Sequence, residues 1–162
     1  MTWRTHAAIG ANAGMLALSV FGGSAPFVGV LVGAFGSIAP DVDATYAKIH
    51  TMSAFSVLRG GVGAHRRFFH SLAALALLTL GAWSFFDNTY RTIAFAFVFG
   101  YASHLLIDGM NFAGVMYLWP WQKKIRLLPK ALRSRAGSMF DHGLFFIAVM
   151  GLFAQLLPYL AR

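Results

Sequence analysis

Gly100-Tyr101-Ala102-Ser103-His104-Leu105-Leu106-Ile107-Asp108 closes a long apolar run, Ile93 to Phe99, that reads as a membrane helix. Residues four apart on a helix share one face. The His104 imidazole and the Asp108 carboxylate can therefore point at one shared metal ion. An ionisable residue inside or at the edge of a span costs roughly 2.5–3.5 kcal/mol on insertion scales, so it needs a partner or a purpose. The pair is either a buried His–Asp contact that stabilises a bundle or part of a metal site. The rest of the chain favours metal. Its five acidic residues are all Asp. Four of them, Asp41, Asp43, Asp108 and Asp141, lie near a His in sequence or near the mouth of a predicted span.

Composition places that stretch in a membrane. The chain has 162 residues, read as a single domain over 1–162, and is 58% hydrophobic and 11% charged. A soluble domain carries about 25% charged residues. The net charge of +8 follows from the collection of Lys and Arg in cytoplasmic loops, and a nucleic-acid partner is not expected. There is no cysteine, hence no disulfide framework and no thiolate metal site. A metal held by His and Asp suits zinc, manganese or iron better than copper(I). The N-terminus lacks a cleavable signal pattern, and the apolar run after Met1 to His6 reads as retained.

The expected architecture is an all-α polytopic membrane bundle of about five spans. They run over Ala7 to Phe21, Phe27 to Ala39, Phe68 to Phe86, Thr92 to Asp108 and Gly143 to Leu160. The second is short for a bilayer, which needs about 20 residues, and reads as a buried short span or a re-entrant helix. Gly10-xxx-Gly14 and Gly29-xxx-Gly33 are close-packing patterns, serving either contacts within the chain or a homo-oligomer. Residues 44–67 read as a polar loop containing His50, Phe112 to Trp121 as an interfacial segment, and Gln122 to Phe140 as a basic loop. With the N-terminus inside and the C-terminus outside, all of the 13 Lys and Arg except Arg91 and Arg162 fall on the cytoplasmic side, as the positive-inside rule requires.

The same topology brings His6, Asp41, Asp43, His65, His70, His104, Asp108, Asp141 and His142 to the cytoplasmic ends of the spans. Scattered core histidines would not sort this way. Each residue also has a plainer reading. Pro40-Asp41-Val42-Asp43 is good turn chemistry, or it supplies metal ligands and a general base. In His65-Arg66-Arg67-Phe68-Phe69-His70-Ser71, the arginines anchor the membrane surface, or Arg66 holds a phosphate through its planar guanidinium. Two histidines five apart share a helix face poorly, so one is expected before the helix begins. His6 marks the interface or is a ligand. Asp141 is a helix cap or, with His142, part of the site. His50 reads as a solvated loop residue.

In order along the chain, Thr5-His6, Pro40-Asp41-Val42-Asp43, His65-Arg66 with His70-Ser71, Gly100-Tyr101 with Ser103-His104 and Asp108, and Trp119-Pro120 resemble the YdjM family of inner-membrane-associated predicted metal-dependent hydrolases. The family pattern commonly has Thr before the second His of the third of these segments, where this chain has Phe69. Asp141 and His142 lie in a part that matches less well. The family is distantly similar to zinc-dependent phospholipase C and related nucleases. That resemblance implies a metal site of His6, Asp43, His65 or His70, His104 and Asp108, and the residues themselves make both His65 and His70 candidate ligands.

The leading expectation is an inner-membrane, multi-pass, metal-dependent hydrolase that cleaves a phosphoester of a lipid or lipid phosphate at the cytoplasmic-side interface. Its cofactor would be a divalent metal, zinc first and manganese second. Asp41 or Asp43 would act as base or ligand, and Arg66 would neutralise phosphate charge. The second expectation is a non-enzymatic membrane protein with a structural metal, binding a soluble regulator through Lys123 to Arg135, in keeping with a repressor-binding role attached to the family's description. A metal or proton carrier is the third, and the clustering of candidates at one face rather than across the bilayer argues against it.

Overall fold

The structure, a computed structural model, describes residues 1–41 and 68–161. Among these residues there are five α-helices and no strand. Helix α1 (Trp3–Phe21) ends at Gly22, whose left-handed φ of 74° lets its N–H reach Leu18 O. Helix α2 (Pro26–Ile38) begins with a proline, whose missing N–H costs nothing at a helix start. It runs into a 3-10 turn, Ala39–Asp41. Helix α3 (Leu72–Phe85) is capped by Ser71, α4 (Asn88–Gly109) by Asp87 and α5 (Met139–Leu160) by Ser138. Each of these side chains accepts a backbone N–H of the first turn. The caps explain why α4 and α5 begin before the apolar runs that announce them, and why α3 begins after Phe68. An apolar run marks the lipid-facing or core part of a helix, whereas polar caps set its ends.

Helices α1, α2 and α4 meet through glycines. A methyl added at Gly14 would overlap the Gly29 carbonyl, one at Gly33 the Gly10 carbonyl, and one at Gly100 the Gly33 carbonyl. Both Gly-xxx-Gly pairs are therefore used for contacts within the chain. Ala17, Ala82, Phe95, Ala96 and Val98 fill the middle of the bundle. Helix α5 lies on α1, where Asn12 Nδ2 donates to Ala148 O at 2.8 Å and Gln155 Nε2 donates to Asn12 Oδ1 at 2.9 Å. Such polar links hold helices together where apolar side chains gain nothing by leaving lipid.

Two helices are long and apolar enough to cross a membrane: Tyr90–Gly109, within α4, and Met139–Leu160, which is α5. At 13 and 14 residues, α2 and α3 fall short of the span length of about 20. Helix α1 has 19 residues but carries Arg4, His6 and Asn12. Length and composition thus give two membrane-crossing helices where the sequence pattern gave about five. Large apolar side chains are exposed on the outer faces of α2, α3 and α5, among them Leu31, Leu77, Leu80, Ile147 and Met150. A soluble monomer rarely exposes so many large apolar side chains.

Residues 110–138, expected as an interfacial segment and a basic loop, fold back as a cap on the start of α3 and the end of α4. Val115 and Ile125 exchange both backbone hydrogen bonds, at 2.9 and 2.8 Å. Leu127 N donates to Gly109 O at 2.8 Å, and Leu72 N donates to Tyr117 O at 2.9 Å. The Tyr117 hydroxyl donates to Leu105 O at 2.7 Å. Ala74, Tyr101, Leu105, Val115 and Tyr117 form the core beneath this cap.

Candidate metal centre

Successive helices alternate in direction, so α1 and α3 begin where α2 and α4 end. His6 stands in the second turn of α1 and Asp41 in the turn after α2. His70 comes two residues before α3, while His104 and Asp108 occupy the last two turns of α4. His6 Nε2 is 3.2 Å from Asp108 Oδ1, and His104 Nε2 is 3.5 Å from Asp108 Oδ2. His70 Nε2 lies 3.4 Å from Asp41 Oδ1 and 3.2 Å from His104 Nε2. The ring of His6 stacks on that of His104 with centroids 4.2 Å apart, and His70 meets His104 edge-on. Two groups, His6 with His104 and Asp108, and Asp41 with His70 and His104, could each hold a metal ion, with ligand atoms within 4.8 Å of one another.

Hydrogen bonds around the cluster fit a cation. His104 Nδ1 lies 2.7 Å from Ser37 O. A carbonyl only accepts, so Nδ1 carries a proton, and Nε2 faces His70 and both carboxylates, where in the neutral ring it offers a lone pair. A backbone carbonyl taking the second ring N–H is the usual way to orient a metal-binding histidine. Ser37 also donates its hydroxyl to His6 O at 2.7 Å, and Asn111 Nδ2 donates to Asp108 Oδ1 at 2.8 Å. His104 is fully buried, and His6 and His70 are nearly so. Buried imidazoles among carboxylates are costly unless paired or coordinated. The donors are nitrogen and oxygen only, which suits zinc, manganese or iron. The residues present thus fit a divalent cation. Outside the spans, His70 beside Asp41 holds that carboxyl below its ordinary range. Burial, then the Asp108 carboxylate, pushes the Tyr117 phenol up to about 12, so Tyr117 stays a neutral donor at the base of the cap.

The structure brings His6, Asp41, His70, His104 and Asp108 together. Asp43, His50, His65 and Arg66 lie outside the described residues. His70 does precede its helix, as the five-residue spacing from His65 requires of one of the two. Asp141 and His142 stay apart from the cluster. Asp141 is buried and accepts from Thr5 Oγ1 at 2.7 Å, Gly137 N at 2.8 Å and Thr2 N at 3.1 Å. It ties the start of α5 to the start of α1, one residue from His6, while Ser138 supplies the cap. His142 is exposed against Ser138 O. Ser37, Asn111 and Tyr117 were missed from sequence. A signal existed for Ser37, which continues the four-residue spacing of Gly29 and Gly33 along one face of α2.

Comparison with known proteins bears on this arrangement. A family model described as YdjM inner membrane protein matches residues 1–157. The chain is 30% identical over 131 residues to a Bacillus subtilis (strain 168) relative named "Uncharacterized protein YvsG", with 78% of each chain covered. No solved structure matches.

Proposed function

The chain belongs to the YdjM inner membrane protein family, and from that premise we propose that it is a membrane-embedded, metal-dependent hydrolase that cleaves a phosphoester of a lipid. The observation that carries the proposal is the convergence of three imidazoles and two carboxylates from four segments at one end of the bundle. In this reading all five helices are membrane-embedded, N-in and C-out, and the cluster faces the cytoplasm. Helices α2 and α3, about 20 Å long at 1.5 Å per residue, fall short of the roughly 30 Å hydrocarbon core. In that reading the cluster would lie just beneath the headgroups, within reach of a lipid phosphate.

His6, His70, His104, Asp108 and Asp41 would hold the cation, zinc first and manganese second, joined by Asp43 and His65. The bound ion supplies Lewis acidity toward a phosphoryl group at neutral pH. Asp41, the more exposed of the two carboxylates at 39% against 22% for Asp108, is the group a substrate meets. It or Asp43 serves as general base. Arg66 would neutralise phosphate charge. Purified protein reconstituted with zinc or manganese should hydrolyse a phospholipid or polyprenyl phosphate, and His104→Ala and Asp108→Ala should each abolish turnover. Full metal content and full lipid hydrolysis in both variants would end this reading.

A second reading rests on the cap. Lys123, Lys124, Arg126, Lys130 and Arg135 are all exposed on it, a surface that could hold a soluble regulator while the cluster keeps a structural metal. Neutralising these residues separates the two readings. Loss of partner binding with lipid hydrolysis absent from the parent protein would favour the binder.

A further inference from the structure

Within the cap, two guanidinium groups are gathered on one residue. Arg126 Nε donates to Phe112 O at 2.9 Å, and the Arg135 guanidinium carbon sits 5.1 Å from the centroid of the Phe112 ring. Gly114, at φ 69°, leaves room for the stem of Arg126, where an added methyl would crowd Arg126 Cγ at 2.9 Å. Both arginines are exposed. The bond to Phe112 uses Nε of Arg126 and leaves its terminal nitrogens for another acceptor. No acidic residue occurs between Asp108 and Asp141, so no carboxylate of the cap competes for them. Phe112 follows Asn111, whose amide holds Asp108 of the metal cluster.

From this we propose that Arg126 and Arg135, arranged around Phe112, form a phosphoryl-binding clamp beside the metal cluster. It receives the phosphate of a lipid headgroup or the same group as free phosphate. Planar guanidinium forks match phosphate oxygens in a way that lysine ammonium groups do not. Fixing one fork by its Nε and the other on an aromatic face lowers the entropy lost when the anion arrives. The inference deepens the lipid phosphoester reading by supplying a headgroup subsite, and it rests on that reading only for the membrane position of the cap.

The test uses the whole protein reconstituted in phosphatidylcholine bilayers. The association of spin-labelled phosphatidic acid relative to spin-labelled phosphatidylcholine is read by electron paramagnetic resonance. A chelator is present, so no turnover consumes the lipid. Failure here leaves the hydrolase reading to its own assay. Wild type should prefer phosphatidic acid by about fivefold or more, the ratio that a differential of about 1 kcal/mol gives. Arg126→Gln with Arg135→Gln should remove most of that preference, and Lys123→Gln with Lys124→Gln, an equal loss of charge, should keep most of it. Should the double arginine variant lose its fold, Arg135→Gln alone carries the test, because it breaks no hydrogen bond. Displacement of the labelled lipid by inorganic phosphate at matched ionic strength would give the clamp to the free anion, and resistance to it would give the clamp to the headgroup. No preference in wild type, or equal losses in the arginine and lysine variants, would overturn the proposal.

Discussion

His104 and His70 face each other through their Nε2 atoms at 3.2 Å, and Ser37 O fixes the orientation by taking the proton of His104 Nδ1 at 2.7 Å. His104 Nε2 is thereby aimed into the space that Asp41 and Asp108 also face. Contact between two ring nitrogens is stable when a proton lies between them or when both donate to a cation. The two carboxylates beside them supply the oxygen donors that such a cation would need.

Asn111 steadies Asp108 without being a candidate ligand. Asn111→Ala removes the 2.8 Å bond to Asp108 Oδ1 and should weaken metal affinity about 10- to 100-fold, the usual cost of losing a group that orients a ligand. Competition against a chromophoric chelator measures this directly. An unchanged affinity would mean that Asp108 needs no orientation or binds no metal.

Gly100 lies against the carbonyl of Gly33, one turn before His104. Gly100→Ala would push α4 from α2 and lengthen the His104–Ser37 bond. Overpacking of this kind costs about 1–3 kcal/mol. A lowered unfolding temperature in detergent, together with weaker metal binding, is the expected pair of results.

Asp141 separates stability from metal binding. Asp141→Asn turns an acceptor for three donors into a poorer one, and unsatisfied buried donors cost about 1–3 kcal/mol. The junction of α1 and α5 should loosen, seen as faster amide exchange near Thr5. Metal stoichiometry should stay at the parent value, since Asp141 lies outside the cluster. Loss of metal from this variant at a temperature where it remains folded would make Asp141 a ligand.

Tyr117 predicts an alkaline limb. Its phenol is pushed up to about 12 in the folded protein, against about 10 in an unfolded chain. The folded state therefore holds the proton more tightly. The contribution is fully present below pH of about 10 and is lost as pH rises toward the folded value. Tyr117→Phe should flatten stability over that window and cost about 1 kcal/mol below it, through the lost bond to Leu105 O. Chemical unfolding from pH 8 upward, on the order of one unit per step, checks both signs.

Much of the centre was legible because its chemistry is local. His104 and Asp108 declare themselves by helical spacing. Charge asymmetry and span order suffice to bring His6, Asp41 and His70 to the same end. The use of Gly10, Gly14, Gly29 and Gly33 within the chain was not legible, because a small-residue stripe looks the same whether its partner is the same chain or another. The cap was hidden for a different reason. Its pairings, Val115 with Ile125 and Asn111 with Ser134, are single bridges too short to leave an alternating pattern. Asp141 reads equally well as a cap or a ligand until Ser138 is seen to cap the helix and Thr5 to claim the carboxylate. Helix ends shifted by a few residues wherever a polar cap lay outside the apolar run.

The most direct test of the account is the metal content of detergent-purified protein measured by elemental analysis, with His104→Ala prepared alongside. Both groups of candidate ligands share His104, so stoichiometric zinc or manganese in the parent should fall to background in the variant. Parent protein that holds no metal after careful reloading, or a variant that holds as much as its parent, would contradict the account and leave the cluster a buried polar network.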